Sequence, residues 1–156
     1  MEVLDKNVIK EKYGLLKDSI VNEASYLDGL PQIKPGEVVS LNIYENGVVF
    51  KISALFQKSK LYGMTKDELE AVEFEAWDVV KEKERSVIGR AVVGSLIGPV
   101  GAIVGGLSGL KNKKIYPDYA LAFADKNGDK VVFNVKSKDV EKVSKIIRRN
   151  FATLIV

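Results

Sequence analysis

The chain contains no cysteine and no histidine in 156 residues. Without cysteine there is no disulfide framework and no thiolate metal site. Without histidine the commonest general base and the commonest metal ligand are both missing, so Ser–His and Cys–His nucleophile arrangements cannot be assembled. No catalytic residue, metal-ligand set or cofactor site is expected, and the chain reads as a non-enzyme. A dominant charge of one sign is lacking too: 24 Lys and Arg stand against 21 Asp and Glu, a net charge of +3. That balance makes nucleic acid an unlikely partner, because such binding needs a clustered basic face. The opening Met-Glu-Val-Leu-Asp-Lys has no basic-then-apolar pattern, so no signal peptide is expected. The expected compartment is the cytoplasm or the inner face of its membrane.

What is present is ordinary globular composition, 46% apolar and 29% charged, with one unusual stretch. Seven of the 13 glycines fall between Ser86 and Leu110: Gly89, Gly94, Gly98, Gly101, Gly105, Gly106 and Gly109. No charge interrupts the chain between Arg90 and Lys111. Gly94 and Gly98, then Gly101, Gly105 and Gly109, repeat every four residues. That spacing puts them on one helix face, where two backbones can approach closely.

Around this stretch the period of the apolar residues changes. Ile9, Tyr13, Leu16, Ile20, Ala24 and Leu27 form a stripe near a 3.6-residue period, which predicts a helix over 1–28, weakened at Gly14. Gly29, Pro31 and Lys34-Pro35-Gly36 end it. Val39, Leu41 and Ile43 alternate with polar residues, Glu45-Asn46-Gly47 follows, and Val48 to Ile52 return, predicting a hairpin of strands 37–44 and 48–54. A weaker strand lies within 56–63. Thr65 and Glu68 have capping-box spacing around a turn, and 70–80 reads as a strand by its period of two. Strands at 119–123 and 131–135 flank an Asn127-Gly128 turn. Ser137 is expected to cap a helix over 138–150 with Val140, Val143, Ile146 and Ile147 on one face. The apolar tail 151–156 needs something to pack on.

The order of strands, the final helix, and the run Arg85-Ser86-Val87-Ile88-Gly89-Arg90-Ala91 followed by Gly98-Pro99-Val100-Gly101-Ala102-Ile103-Val104-Gly105-Gly106-Leu107-Ser108-Gly109 resemble a family. It is that of bacterial and phage-borne pleckstrin-homology-like (GRAM-like) small domains with a glycine-rich apolar insertion. The resemblance covers about residues 28–150. It implies an α+β fold: a curved antiparallel sheet forming a partial barrel, a C-terminal capping helix and a glycine-rich helical hairpin inserted at 86–110, preceded here by an N-terminal helix. It supplies no catalytic residues.

Gly98-Pro99 breaks the apolar run, since proline costs about 3 kcal/mol inside a helix. Two arms of about 16 Å each would reach half-way through a bilayer core of about 30 Å. The apolar faces need lipid, copies of the same hairpin, or the sheet of the same domain; the expected role is self-association into a homo-oligomer through Gly94, Gly98, Pro99, Gly101, Gly105 and Gly109, with Val93, Ile97, Ile103, Val104 and Leu107 as its apolar surface. The alternative is a protein of the cytoplasmic membrane face, peripheral or hairpin-inserted. There Arg85, Arg90, Lys111, Lys113 and Lys114 would meet phosphate head groups. A second alternative is a phage-related protein that binds a host protein. Lys58, Lys60 and Lys66 are further candidates for phosphate contact; otherwise they are ordinary surface lysines. The acidic run Glu68, Glu70, Glu73, Glu75 and Asp78 reads as a solvated face, and Trp77 and Tyr62 as core or interface residues.

Overall fold

The computed structural model describes residue 1 and residues 3–53, 57–79 and 118–156. It is α+β: a helix α1 (Lys6–Tyr13), strands β1 (Leu16–Asp28), β2 (Val38–Tyr44), β3 (Gly47–Ser53), β4 (Lys60–Thr65), β5 (Leu69–Ala76), β6 (Tyr119–Asp125) and β7 (Lys130–Val135), and a final helix α2 (Val140–Phe151). The strands form one seven-stranded sheet in the order β4-β3-β2-β1-β7-β6-β5. Every neighbouring pair is antiparallel.

This sheet cannot be flat. β3 and β6 are four strand spacings apart, about 19 Å in a flat sheet. Yet the rings of Phe50 on β3 and Phe123 on β6 are 5.3 Å apart, and Phe50 and Phe133 5.1 Å. The outermost strands β4 and β5 are joined by only the three residues between Thr65 and Leu69, a reach of about 14 Å. The sheet therefore rolls until its two edges meet at one corner. Thr65 and Glu68 hold that corner reciprocally: the Thr65 N–H donates to Glu68 Oε2 at 2.8 Å and the Glu68 N–H to Thr65 Oγ1 at 3.3 Å. The capping-box spacing is thus used to close a turn between strands. The Thr65 N–H bond is the main reason the Glu68 carboxyl sits below its usual range, helped by Lys12.

The hinge of the roll is β1. Residues 16–25 of it pair with β2 and residues 24–28 with β7. A bulge between Val21 and Ala24, with Asn22 at φ 67°, bends the strand between these two duties. This corrects the helix predicted over 1–28. The N-terminal helix exists, but it is only Lys6–Tyr13 and stops at Gly14, φ 78°. Leu16, Ile20 and Ala24 step by four, and a step of four returns to the same face of a strand as well as of a helix. The bulge advances three residues of β1 against one of β2, which keeps this phase, and Ile20, Ala24 and Tyr26 all turn inward.

α2 packs Val143, Ile146, Ile147 and Phe151 into the rolled interior, where Phe151 meets Phe123 edge-on at 5.6 Å. Ion pairs of Lys142 with Glu23 and Arg149 with Asp18 fix it along β1. Ser137 does not cap this helix; it opens a single 3-10 turn, Ser137–Asp139, and its N–H donates to Asp118 Oδ2 at 3.1 Å. The tail does find a seat. Leu154 packs on the core, and the backbone of Val72 on β5 accepts from Val156 N–H at 3.1 Å and donates to Leu154 O at 2.8 Å.

On the opposite edge, Leu4 N–H donates to Leu61 O of β4 at 2.7 Å. Tyr13, Val49 and Leu61 form a small outer core beneath α1. Tyr13 lies on Gly63, where any β-carbon would come within 2.5 Å of its hydroxyl.

Two glycines separate conformational from steric cost. Gly29, φ 107°, has the Lys130 carbonyl oxygen 1.9 Å from where a β-carbon would sit, whereas Gly128, φ 89°, has nothing within 4 Å. Gly128→Ala should cost about 1–2 kcal/mol, the left-handed backbone alone. Gly29→Ala should cost clearly more, because β1 and β7 must part. Urea unfolding of both variants tests this, and equal midpoints would refute the close approach.

Candidate functional site

Two features of the described residues are candidates for function: a basic cleft and the neck from which residues 80–117 leave the sheet.

The cleft lies between the β1–β2 loop and the β3–β4 loop. Val38 pairs with Ser53, so the start of β2 and the end of β3 bring these loops side by side. The first loop is held stiffly. Tyr26, turned into the core, receives the Leu30 N–H on its hydroxyl at 2.7 Å and donates that hydroxyl to Leu30 O at 3.1 Å. The Gly36 N–H donates to Tyr26 O at 2.7 Å and Tyr26 N–H to Glu37 O at 2.8 Å. The projecting Gln32, Ile33 and Lys34 face Gln57, Lys58 and Lys60 across a cleft of about 190 Å³ floored by Ile52. Its lining holds three lysines, Lys34, Lys58 and Lys60, and one acidic residue, Glu37. The volume is below the roughly 300 Å³ at which drug-sized ligands begin to fit. It suits a phosphate-sized anion.

Lys58 and Lys60, candidates for phosphate contact in the sequence, both line this cleft. Lys66 stands apart, in the β4–β5 turn at the other end of β4. Lys34 was missed. The signal for it was the register of the 37–54 hairpin, which puts the loops before and after it at the same end.

The neck is made by Ala76 of β5 and Tyr119 of β6, which are register partners, and by the Trp77 N–H bonded to Asp118 O at 3.2 Å. The chain thus leaves and returns through adjacent positions. The predicted hairpin lies outside the described residues, and with it Gly94, Gly98, Pro99, Gly101, Gly105, Gly109, Val93, Ile97, Ile103, Val104 and Leu107. Arg85, Arg90, Lys111, Lys113 and Lys114 lie outside them as well.

Other candidates change character. The strand predicted at 70–80 ends at Ala76. Glu73 and Glu75 do share one face, opposite Ala122 and Ala120, but Glu73 is 3% exposed, so this part of the acidic run is not a solvated face. Trp77 and Tyr62 are both buried. Among the described residues no group of three or more acidic side chains is placed to hold a metal ion, and no helix is long and apolar enough to cross a membrane.

No family model and no curated protein sequence matches the chain.

The anchoring tyrosines set a pH limit. Burial pushes the Tyr26 phenol up to about 12, and burial, then the charge of Glu68, pushes Tyr13 to about 12. A phenol whose folded pKa lies above its unfolded value near 10 contributes full stability below pH 10 and loses it as pH rises toward 12. Spectrophotometric titration should therefore show late-ionising tyrosines, and stability should fall above about pH 10. Tyr26→Phe should flatten that fall and loosen the cleft loop.

Proposed function

We propose that the chain is a non-enzymatic binding and assembly module: a pleckstrin-homology-like sheet that carries the glycine-rich segment 86–110 as a self-associating hairpin. The observation that carries this reading is the neck. Ala76 and Tyr119 pair, so residues 80–117 form an excursion from one point of the sheet. The rolled interior is filled by residues on either side of that excursion, Phe50, Phe123, Phe133 and Phe151 among them. A segment with eight branched apolar side chains (Val92, Val93, Leu96, Ile97, Val100, Ile103, Val104 and Leu107) gains about 1.5–3 kcal/mol for each one buried. Glycines spaced by four favour close helix pairing. The strand order, the corner at Thr65–Glu68 and the helix packed into the roll support the family likeness.

The test is solution mass without detergent. An oligomer is expected that returns to the 17.2 kDa monomer in a Gly101→Leu/Gly105→Leu variant. A wild-type monomer at high concentration would remove the assembly reading.

A second reading, docking on an anionic membrane surface, is favoured by the lysines of the cleft. Each lysine near such a surface is worth about 1 kcal/mol. Lys34→Gln/Lys58→Gln/Lys60→Gln should then weaken binding to phosphatidylserine vesicles by about 100-fold in partition coefficient. Unchanged partition, or none at the outset, counts against it. The two sets of substitutions share no residue, and one reads mass while the other reads vesicle partition.

A further inference from the structure

The alanine row on the outer face of β6 is buried, although neither α1 nor α2 packs its apolar residues against it. Along β6, Leu121 and Phe123 point into the rolled interior, so Ala120, Ala122 and Ala124 point the other way. Their register partners continue that outer face: Ala124 pairs with Ala71 of β5 and Lys130 of β7, Ala122 with Glu73 and Val132, and Ala120 with Glu75 and Asn134. The alanines and Val132 are short, none of Ala120, Ala122 and Val132 is exposed at all, and Glu73 beside them is buried too. Among the described residues neither helix stands over them. α1 packs on Val49 and Leu61, on the far side of the sheet, and α2 packs its apolar residues into the interior.

We infer that this alanine face is the docking surface for the chain's own residues 86–110. Three observations select that occupant. Its attachment points, Ala76 and Tyr119, are the adjoining ends of the two strands that carry most of the face. Its composition fits the alanine row at the centre of the face: there is no charge between Arg90 and Lys111, and glycines at four-residue spacing allow a backbone to lie close on small side chains. Finally, the tether works in its favour. A segment held by short linkers acts at an effective concentration of the order of millimolar, well above that of a second copy in dilute solution. The inference stands whether or not the docked segment also pairs with another molecule, because its readout is accessibility and not mass.

The chain has no cysteine, so Ala122→Cys introduces a single thiol. In the intact chain this thiol should react with a maleimide about 100-fold more slowly than one placed at the exposed Asp67. Replacing residues 86–110 by a Gly-Ser linker of equal length should remove most of that protection. Rapid labelling of the intact chain, or undiminished protection in a folded linker variant, overturns the inference. Protection that weakens on dilution overturns it too, by making a second copy the occupant. Should the linker variant fail to fold, the intact chain with Ala122→Cys and one further cysteine at Gly94, Gly101 or Gly105 decides. Oxidation should close a disulfide within one chain for at least one pair, and only intermolecular disulfides, or none, would refute the docking.

Discussion

The meeting of Phe50 with Phe123 and Phe133 dictates most of the remaining structure. Three rings from β3, β6 and β7 can touch only if the sheet folds its two halves face to face. Burying each ring removes a large apolar area from water. That gain sets conditions elsewhere. One strand must serve both halves, so β1 is long and carries a bulge at Asn22. The outermost strands must meet, so a short turn between Thr65 and Glu68 is enough to join them. The roll still leaves an opening, and α2 fills it with Val143, Ile146, Ile147 and Phe151.

Rolling does not by itself remove the edges of a sheet. β4 and β5 retain backbone groups that invite a foreign strand. Here each edge is occupied by a nearby piece of the same chain, Leu4 against Leu61 and Leu154 with Val156 against Val72. Both attachments are thin, one or two backbone bonds each, and both are reinforced by side chains. Tyr13 plugs the first over Gly63, and Leu154 packs on the core to hold the second.

Much of this was legible in the residues. Val39, Leu41 and Ile43 followed by Asn46-Gly47 gave the first hairpin, and Asn127-Gly128 between apolar pentads gave the last, because period two and turn chemistry are local signals. The spacing of Val143, Ile146 and Ile147 gave α2 for the same reason. β1 carries a step of four that helix and strand share, and only its pairing with β2 and β7 decides between them. Glu73 reads as solvated because its neighbours are acidic, yet it is buried beside Ala122 of β6, a partner far away in sequence. The cleft was half legible. Lys58 and Lys60 stood out as a cluster, whereas Lys34 joins them only through the register of Val38 with Ser53.

The position of β1 in the middle of the sheet also orders events in time. During synthesis it can pair with β2 at once, but its other side must wait for β7, which follows every other strand and the glycine-rich stretch. Until then Phe50 lacks both of its ring partners, and the apolar residues of 86–110 emerge before the strands that complete the sheet. Pairings of such long sequence separation form slowly, and surfaces left bare in the meantime are open to other chains. The same architecture that seals the finished domain therefore keeps the nascent one open until nearly all of it has been made.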